Sequence, residues 1–154
     1  MTMDSIDLKL LSLLQSNGRM TNVELAQKVG LTAPPCLRRI RALEQAGVIR
    51  AYHADIDASK MGFSITVFAM VSLKSQAEAD LRAFETYLQS IPEVRECHML
   101  NGEIDFMLKI VARDLQSFQE LLTSRLTSAP NVSSVKTSLT IRTAKDLPGV
   151  PIEM

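Results

Sequence analysis

Tryptophan is absent from this chain of 154 residues, aromatic side chains make up only 5% of it, and cysteine occurs twice. The two cysteines, Cys36 and Cys97, lie too far apart for a metal-binding spacing and suit a reducing compartment. No apolar run reaches the roughly 18 residues that a membrane helix needs. The mildly acidic start lacks the basic region of a signal peptide. We therefore expect a cytoplasmic protein with no membrane partner, structural metal or cofactor.

A net charge is also lacking, because 17 basic residues balance 17 acidic ones. The charges are unevenly spread: residues 1–50 carry seven basic and four acidic side chains, a net charge of +3, and the remainder is −3. A basic segment in a neutral chain indicates an anionic partner for its N-terminal part. A solvated charged surface is the alternative, and charge alone does not decide between the two.

The first fifty residues have the apolar spacing of three short helices. The first is expected to end at Asn17–Gly18, where a left-handed cap is tolerated. Thr21 and Glu24 form a capping-box pattern at the start of the second helix, and Gly30 ends it. Short helices joined by a tight turn indicate a helix-turn-helix unit.

The third helix exposes arginines in its first turns. Leu37, Ile40 and Leu43 define its buried side, near which Cys36 is expected as a core residue. Exposed arginines can bind guanine edges or phosphates in the major groove. A plain amphipathic surface helix is the alternative, but the two preceding helices favour double-stranded DNA as the partner. The predicted contacts are Thr32, which can also cap the helix, Pro34, Pro35, Arg38, Arg41 and, at the edge of the exposed face, Arg39.

From about residue 51 the pattern changes to strands that alternate with amphipathic helices. Strands are predicted over residues 65–73, 94–101, 104–111 and 132–141. With one helix after the first strand and one after the third, the order is β-α-β-β-α-β, which is the ferredoxin-like arrangement.

This second half contains an internal repeat. The pattern D-L-x-x-F begins at Asp80 and again at Asp114, and P-x-V begins at Pro92 and again at Pro130. The offset between copies grows from 34 to 38 residues across the helix, a difference of about one helical turn. We therefore expect the second helix to be one turn longer than the first.

Both faces of the predicted sheet carry apolar side chains, although two helices can cover only one face. Phe68, Met70 and Met107, with Cys97 and Met99, are predicted to form an exposed patch on a monomer. A partner sheet, and hence a homodimer, is the interpretation we favour. The alternative is that the first domain or the C-terminal tail folds over this patch.

No arrangement typical of an enzyme is visible. The two histidines, His53 and His98, pair with no nucleophile at a usable spacing, and neighbours such as Cys97 and His98 point to opposite faces of a strand. No glycine-rich phosphate loop or metal motif occurs. We therefore predict that the protein is not an enzyme.

Two groups of residues resemble the Lrp/AsnC, or feast/famine, family of transcription regulators, and the resemblance covers nearly the whole chain. One group follows the three helices. It comprises residues 4–11, 17–19, 24–26, 30–31, 36–40, 43–44 and 47–49. The other is Gly102–Phe106, which is similar to the family pattern G-x-x-D-[FY] at a hairpin turn.

This resemblance implies an α+β protein with two domains. Its parts are a helix-turn-helix (winged-helix-like) DNA-binding domain at residues 1–50, a linker strand at 51–62, a ferredoxin-like effector-binding and dimerisation domain at 63–142 and a tail at 143–154. The resemblance also implies dimers that form through their sheets and assemble further, often into octamers around which DNA wraps.

An amino acid bound between dimers, near the G-x-x-D loop, is the effector that the resemblance implies. The implied contacts are Asn101, Gly102 and Asp105, with Thr137 and Ser138 on the last strand as further candidates; the family usually has Ser or Thr where this chain has Asn101. From the residues alone, Asn101–Gly102 is a hairpin-turn signal. Asp105 can then either receive an ammonium group or be an ordinary residue at the end of a strand ladder.

Two other functions stay open at this point. An architectural DNA-binding protein without a ligand fits the same residues. Siroheme decarboxylases resemble the family in both halves, but such an enzyme needs cationic groups around the carboxylates of a tetrapyrrole, and the second half of this chain is acidic. We therefore favour a sequence-specific transcription regulator that responds to an amino acid or a related small molecule.

Overall fold

The computed structural model describes residues 2–153, which form two compact units. The N-terminal unit contains residues 2–55 together with 145–153, and the C-terminal unit contains residues 56–144. Most of the predicted tail is therefore part of the N-terminal unit. Each unit has its own apolar core, because the buried side chains divide into two separate clusters.

Three helices build the N-terminal unit: α1 at Ser5–Ser16, α2 at Asn22–Val29 and α3 at Ala33–Gln45. The capping box of Thr21 and Glu24 at the start of α2 is confirmed. Gly30 ends the helix, as predicted, and is left-handed, with a φ of 72°. A small apolar core holds the helices together. Its buried members are Leu10, Leu25, Ala26, Cys36 and Ile40.

Two predicted caps differ from the structure. Asn17 follows α1 in an extended conformation rather than a left-handed one, and its N–H still bonds to the Leu13 carbonyl. Thr32 precedes α3, but its hydroxyl makes no capping hydrogen bond. A capping side chain accepts from the second or third N–H of a helix, and here Pro34 and Pro35 occupy those positions without an N–H.

The linker strand predicted at residues 51–62 is not formed in this chain. Residues 51–57 have no regular structure, and a short 3₁₀ helix follows at Ser59–Met61. A strand requires a hydrogen-bonded neighbour. Within the described chain, this exposed segment pairs with no strand.

A four-stranded sheet and two helical segments form the C-terminal unit. They are β1 (Ile65–Leu73), α4 (Glu78–Leu88), β2 (Val94–Met99), β3 (Phe106–Ala112), α5 (Leu115–Leu121) with a π-helical continuation (Leu122–Leu126), and β4 (Val132–Leu139). Neighbouring strands are antiparallel in the order β2-β3-β1-β4. The ferredoxin-like fold is therefore confirmed, with β1 at its predicted bounds and the other strands shifted or shortened by one or two residues at their ends.

The helix lengths differ from what the internal repeat predicts. Counted from the matched residues Asp80 and Asp114, the second helical segment does run four residues further, to Leu126 rather than Leu88. However, α4 starts before its matched aspartate, so it has 11 residues against seven in α5 and five in the π-helical continuation. The expectation of a helix one full turn longer is wrong because an earlier start lengthens α4.

Strand register places Cys97 and Met99 on a different face from the predicted one. Cys97 pairs with Leu108 and Met99 pairs with Phe106, two fully buried residues of the helix-covered face. The register shifts between Val94 and Glu96, and such a bulge inverts the alternation of the residues that follow it. Cys97 and Met99 therefore do not belong to the patch on the opposite face.

The face of the sheet opposite the helices is named the open face below. Phe68, Met70 and Met107 lie on it, as predicted: Met70 pairs with Met107, and Phe68 is 37% exposed. Glu96 and His98 occupy the β2 positions that Cys97 and Met99 were expected to fill. The open face thus combines an apolar centre with a charged margin.

Candidate DNA-binding and effector sites

The exposed side of α3 has the composition of a DNA-contacting surface. Cys36, Ile40 and Leu43 are buried, whereas Arg38 and Arg41 point to solvent. Pro34 and Thr32 are exposed beside them, and Pro35 is half-buried. Within residues 2–153, neither Arg38 nor Arg41 takes part in an ion pair. Their guanidinium groups are therefore available to an anionic partner.

Arg39 lies differently from the other predicted DNA contacts. Its Nη1 atom is 2.8 Å from Oδ2 of Asp4 and 2.9 Å from Oδ1 of Asp7, so it links α3 to α1. Hydrogen bonds from Arg39 to Asp7 and to Asp4 raise the pKa of the guanidinium. The pKa of Asp4 is lowered by the backbone N–H of Asp7 and then by Arg39. Arg39 is half-buried at the edge of the exposed face, as predicted, and its guanidinium is bonded toward α1.

Asn22, which the sequence interpretation passed over, joins α2 to α3. Its Nδ2 donates to the Ala33 carbonyl at 2.8 Å, at the first residue of α3. Its Oδ1 is buried without a hydrogen-bond partner among the described residues. The available signal was an asparagine in the first turn of a helix, a position where such side chains commonly bond to nearby backbone.

The loop between β2 and β3 holds the predicted effector residues Asn101 and Gly102 at an exposed position. It runs over residues 100–105, and the Leu100 N–H closes it by donating to the Asp105 carbonyl at 2.9 Å. It is therefore longer than the two-residue turn for which Asn-Gly is typical.

Asp105 anchors the end of β1. Its Oδ2 accepts from the Leu73 N–H at 2.6 Å and from Nε2 of Gln76 at 3.4 Å, and Gln76 also donates to the Leu73 carbonyl. The residue thus has the ladder-end role that the sequence left open. Both bonds go to Oδ2, so they leave the second oxygen, Oδ1, for another donor.

Within one chain, Thr137 and Ser138 lie away from this loop. Thr137 pairs with Ala69 on the helix-covered face, and Ser138 pairs with Phe68 on the open face. The β4 residue level with Asp105 is instead Ser134. Val71 pairs with Phe106, so the next residue of β1, Ser72, lies level with Asp105. Ser72 in turn pairs with Ser134. Even Ser134 is two strand spacings from Asp105, about 10 Å.

Residues 2–153 contain no group of three or more His, Cys, Asp or Glu side chains that could hold a metal ion. Burial raises the pKa of the Cys36 thiol, and burial together with Glu85 raises the pKa of Cys97 to about 11. Both thiols are therefore protonated near neutral pH and are weak nucleophiles. None of the helices described has the length and apolar character to span a membrane.

Comparison with known proteins identifies both domains. A model of the Lrp/AsnC ligand binding domain matches residues 66–150, and a model of winged helix-turn-helix DNA-binding domains matches residues 3–50. The chain is 53% identical to the leucine-responsive regulatory protein of Rhizobium meliloti (strain 1021), covering 94% of this chain and 92% of the relative. It is 39% identical to the Bkd operon transcriptional regulator of Pseudomonas aeruginosa, covering 91% and 92%.

Solved structures give the same result. The fold is similar to that of a transcriptional regulator of Neisseria meningitidis in complex with L-Met, with a TM-score of 0.93, 34% identity and 97% of each chain covered. It is also similar to an AsnC family transcriptional regulator from Agrobacterium tumefaciens, with a TM-score of 0.90, 30% identity and 97% of each chain covered. The chain therefore belongs to the Lrp/AsnC family of transcription regulators, in which a helix-turn-helix DNA-binding domain precedes a ligand-binding domain.

Proposed function

We propose that α3 enters the major groove and that Arg38 and Arg41 make the principal contacts with DNA. The observation that carries this proposal is the pair of exposed arginines, without ion-pair partners in the described chain, on the outer side of α3. Thr32 supports it, because the prolines that follow leave its hydroxyl without a capping role and able to bond a phosphate. Pro34 and Pro35 shape the first turn of the helix beside the bases.

The effector is an amino acid with an apolar side chain. Two findings support this class: a relative is a leucine-responsive regulatory protein, and a similar structure holds L-Met. In our proposal, Oδ1 of Asp105 accepts the ammonium group of the ligand, and the exposed backbone around Asn101 and Gly102 receives its carboxylate. One chain alone does not bring Thr137 or Ser138 to this loop, so those residues can take part only from another copy.

A second copy of the chain covers the open face. Phe68, Met70 and Met107 supply the apolar centre that a homodimer would bury. Dimers then assemble into a larger particle, such as an octamer, in the cytoplasm, and the amino acid acts by favouring one assembly over another. No catalytic step is part of this function.

The experiment measures DNA binding and particle mass together. A duplex is selected from a random-sequence library with the wild-type protein, and Arg38→Ala and Arg41→Ala are compared with wild type by gel shift. Both variants should bind more weakly and show a smaller dependence on salt, since each removed phosphate contact lowers the slope of log affinity against log salt by about 0.9. Unchanged affinity in both variants would show that α3 is not the DNA-contacting helix.

Adding each amino acid in turn to the same gel shift, with light scattering alongside, tests the regulatory part. An apolar amino acid should change duplex affinity and particle mass together. A protein that binds DNA but responds to none of them would instead be an architectural DNA-binding protein. A coloured protein on purification would point to a bound tetrapyrrole and to the enzyme alternative.

A further inference from the structure

The N-terminus of α1 and the middle of α3 meet in a small charged cluster of Asp4, Asp7 and Arg39, named the α1–α3 clamp below. Asp7 is the buried charged residue of the described chain, with a side chain only 5% exposed. The Arg39 side chain is 32% exposed. Because a buried carboxylate is costly without a positive partner, Arg39 is required by Asp7.

Each carboxylate of the clamp divides its two oxygens between two tasks. Oδ1 of Asp4 accepts from the N–H groups of Ile6 and Asp7, and Oδ2 of Asp7 accepts from the N–H of Asp4. These bonds form the capping box of α1 and fix both side chains. The two remaining oxygens, Oδ2 of Asp4 and Oδ1 of Asp7, both bond to Nη1 of Arg39. The capping box therefore prepares a site of fixed geometry for this guanidinium.

The position of Arg39 within α3 connects the clamp to DNA binding. It lies between Arg38 and Arg41, the two exposed arginines. Apart from this clamp and the bond from Asn22 to the Ala33 carbonyl, α3 packs against the other helices through apolar side chains such as Cys36 and Ile40. Apolar packing is not directional, whereas two charged hydrogen bonds are. The clamp is thus the directional constraint between α1 and α3 at the level of the DNA-facing arginines.

We propose that Arg39 is a positioning residue for DNA recognition, which holds α3 at the rotation that lets Arg38 and Arg41 reach DNA together. This inference rests on the proposed role of α3. It differs from a direct contact, because Arg39 then acts through its neighbours and its own guanidinium does not leave the carboxylates. It also differs from a role in stability alone, because a variant that is folded but lacks the clamp should bind DNA more weakly than wild type does.

Arg39→Met is compared with Arg38→Met, its immediate neighbour, on a duplex selected from a random-sequence library with the wild-type protein. Titrations are run at low temperature. Circular dichroism verifies that the protein is folded, and stoichiometric titration with the duplex gives its DNA-binding fraction. Arg39→Met should lower affinity roughly tenfold, about the size of one misplaced base contact, with an unchanged salt slope. Arg38→Met should lower both affinity and slope, the slope by about 0.9. If Arg39→Met does not fold, Arg39→Lys replaces it. Because lysine keeps the charge, this variant should lose only part of the DNA affinity.

Asp7→Asn distinguishes a positioning role of Arg39 from a direct phosphate contact, because the two roles predict opposite changes in DNA affinity. If the clamp positions α3, this substitution weakens DNA binding relative to Asp55→Asn, which removes the same charge from an exposed residue of the same unit. If Arg39 is instead a phosphate contact that Asp7 withholds, Asp7→Asn strengthens binding.

Three results would overturn the positioning role. They are a slope reduced by Arg39→Met, tighter binding by Asp7→Asn, and wild-type affinity of the folded Arg39→Met protein. Unchanged affinity in both Arg38→Met and Arg41→Ala would instead refute the assignment of α3 itself, and the clamp with it.

Discussion

Replacing Asp105 by asparagine and by alanine separates two roles that one carboxylate combines. The alanine variant removes the acceptor of the Leu73 N–H, at the end of β1, where Leu73 is only 4% exposed. A buried donor left without a partner costs about 1–3 kcal/mol. The asparagine variant keeps an oxygen for this N–H and removes only the negative charge. Its free energy of unfolding should therefore stay close to that of wild type.

Amino-acid binding, unlike stability, should depend on the negative charge of Asp105. A hydrogen bond between charged groups contributes about 1.5–3 kcal/mol, so loss of the charge should weaken amino-acid binding roughly 10- to 150-fold in Asp105→Asn. Calorimetric titration with L-Met and L-Leu measures this change, and thermal unfolding measures stability. Glu103→Gln is the matched control, because it removes an exposed charge from the same loop.

Two results would contradict this reasoning. Wild-type affinity for the amino acid in Asp105→Asn would show that the ammonium group binds elsewhere. An asparagine variant as unstable as the alanine variant would show that the charge, rather than the acceptor, anchors β1. The first result would leave Asp105 with a structural role alone, and the proposed site would lose its main polar contact.

The remaining predictions concern the tail, the open face and one tyrosine. Gly149→Ala should release the tail to trypsin at Lys145, and an unchanged cleavage rate would contradict this. Gly149 has a φ of 69°, and an added Cβ would overlap the Gln15 amide, which exchanges hydrogen bonds with Val150. Met107→Asp should break the proposed dimer, and light scattering at the wild-type mass would refute the open face as the interface. Burial and the hydrogen bond to Glu44 raise the pKa of Tyr52 to about 12 from 10, so its contribution to stability is complete below pH 10 and is lost as the pH rises to about 12. Absorbance at 295 nm in a Tyr87→Phe background should show this late titration, and a midpoint near pH 10 would contradict it.

Features set by neighbours in the sequence were predictable from it. Thr21, Glu24 and Gly30 define α2 through local capping, and their roles match the structure. Ile40 and Leu43 are buried, as helical periodicity predicts, and Cys36 is buried beside them, whereas Leu37 is only half-buried. The ferredoxin-like order follows from the alternation of strand and helix patterns in the same way.

Features that depend on distant residues were not predictable. The bulge between Val94 and Glu96 appears only when β2 pairs with β3, and it moved Cys97 to the other face. Arg39 finds its carboxylates 32 and 35 positions earlier in the chain, so a helical wheel could place it no better than at an edge. The bond from Leu73 to Asp105 joins positions 32 apart. Periodicity describes one element at a time, whereas these contacts depend on how elements pack.

The carboxylates of the α1–α3 clamp and of the proposed effector site use their two oxygens in the same way, and this determines how they should be tested. In Asp4 and Asp7, one oxygen holds backbone N–H groups and the other holds Arg39. In Asp105, Oδ2 holds the Leu73 N–H, and Oδ1 is the oxygen proposed for the ligand. Alanine removes both oxygens, so an alanine variant would lose stability and function together and would not separate them. Asparagine retains a carbonyl oxygen for the backbone bond and loses the charge. A large loss of binding with little loss of stability in the asparagine variants is therefore the result that distinguishes a functional carboxylate from a purely structural one.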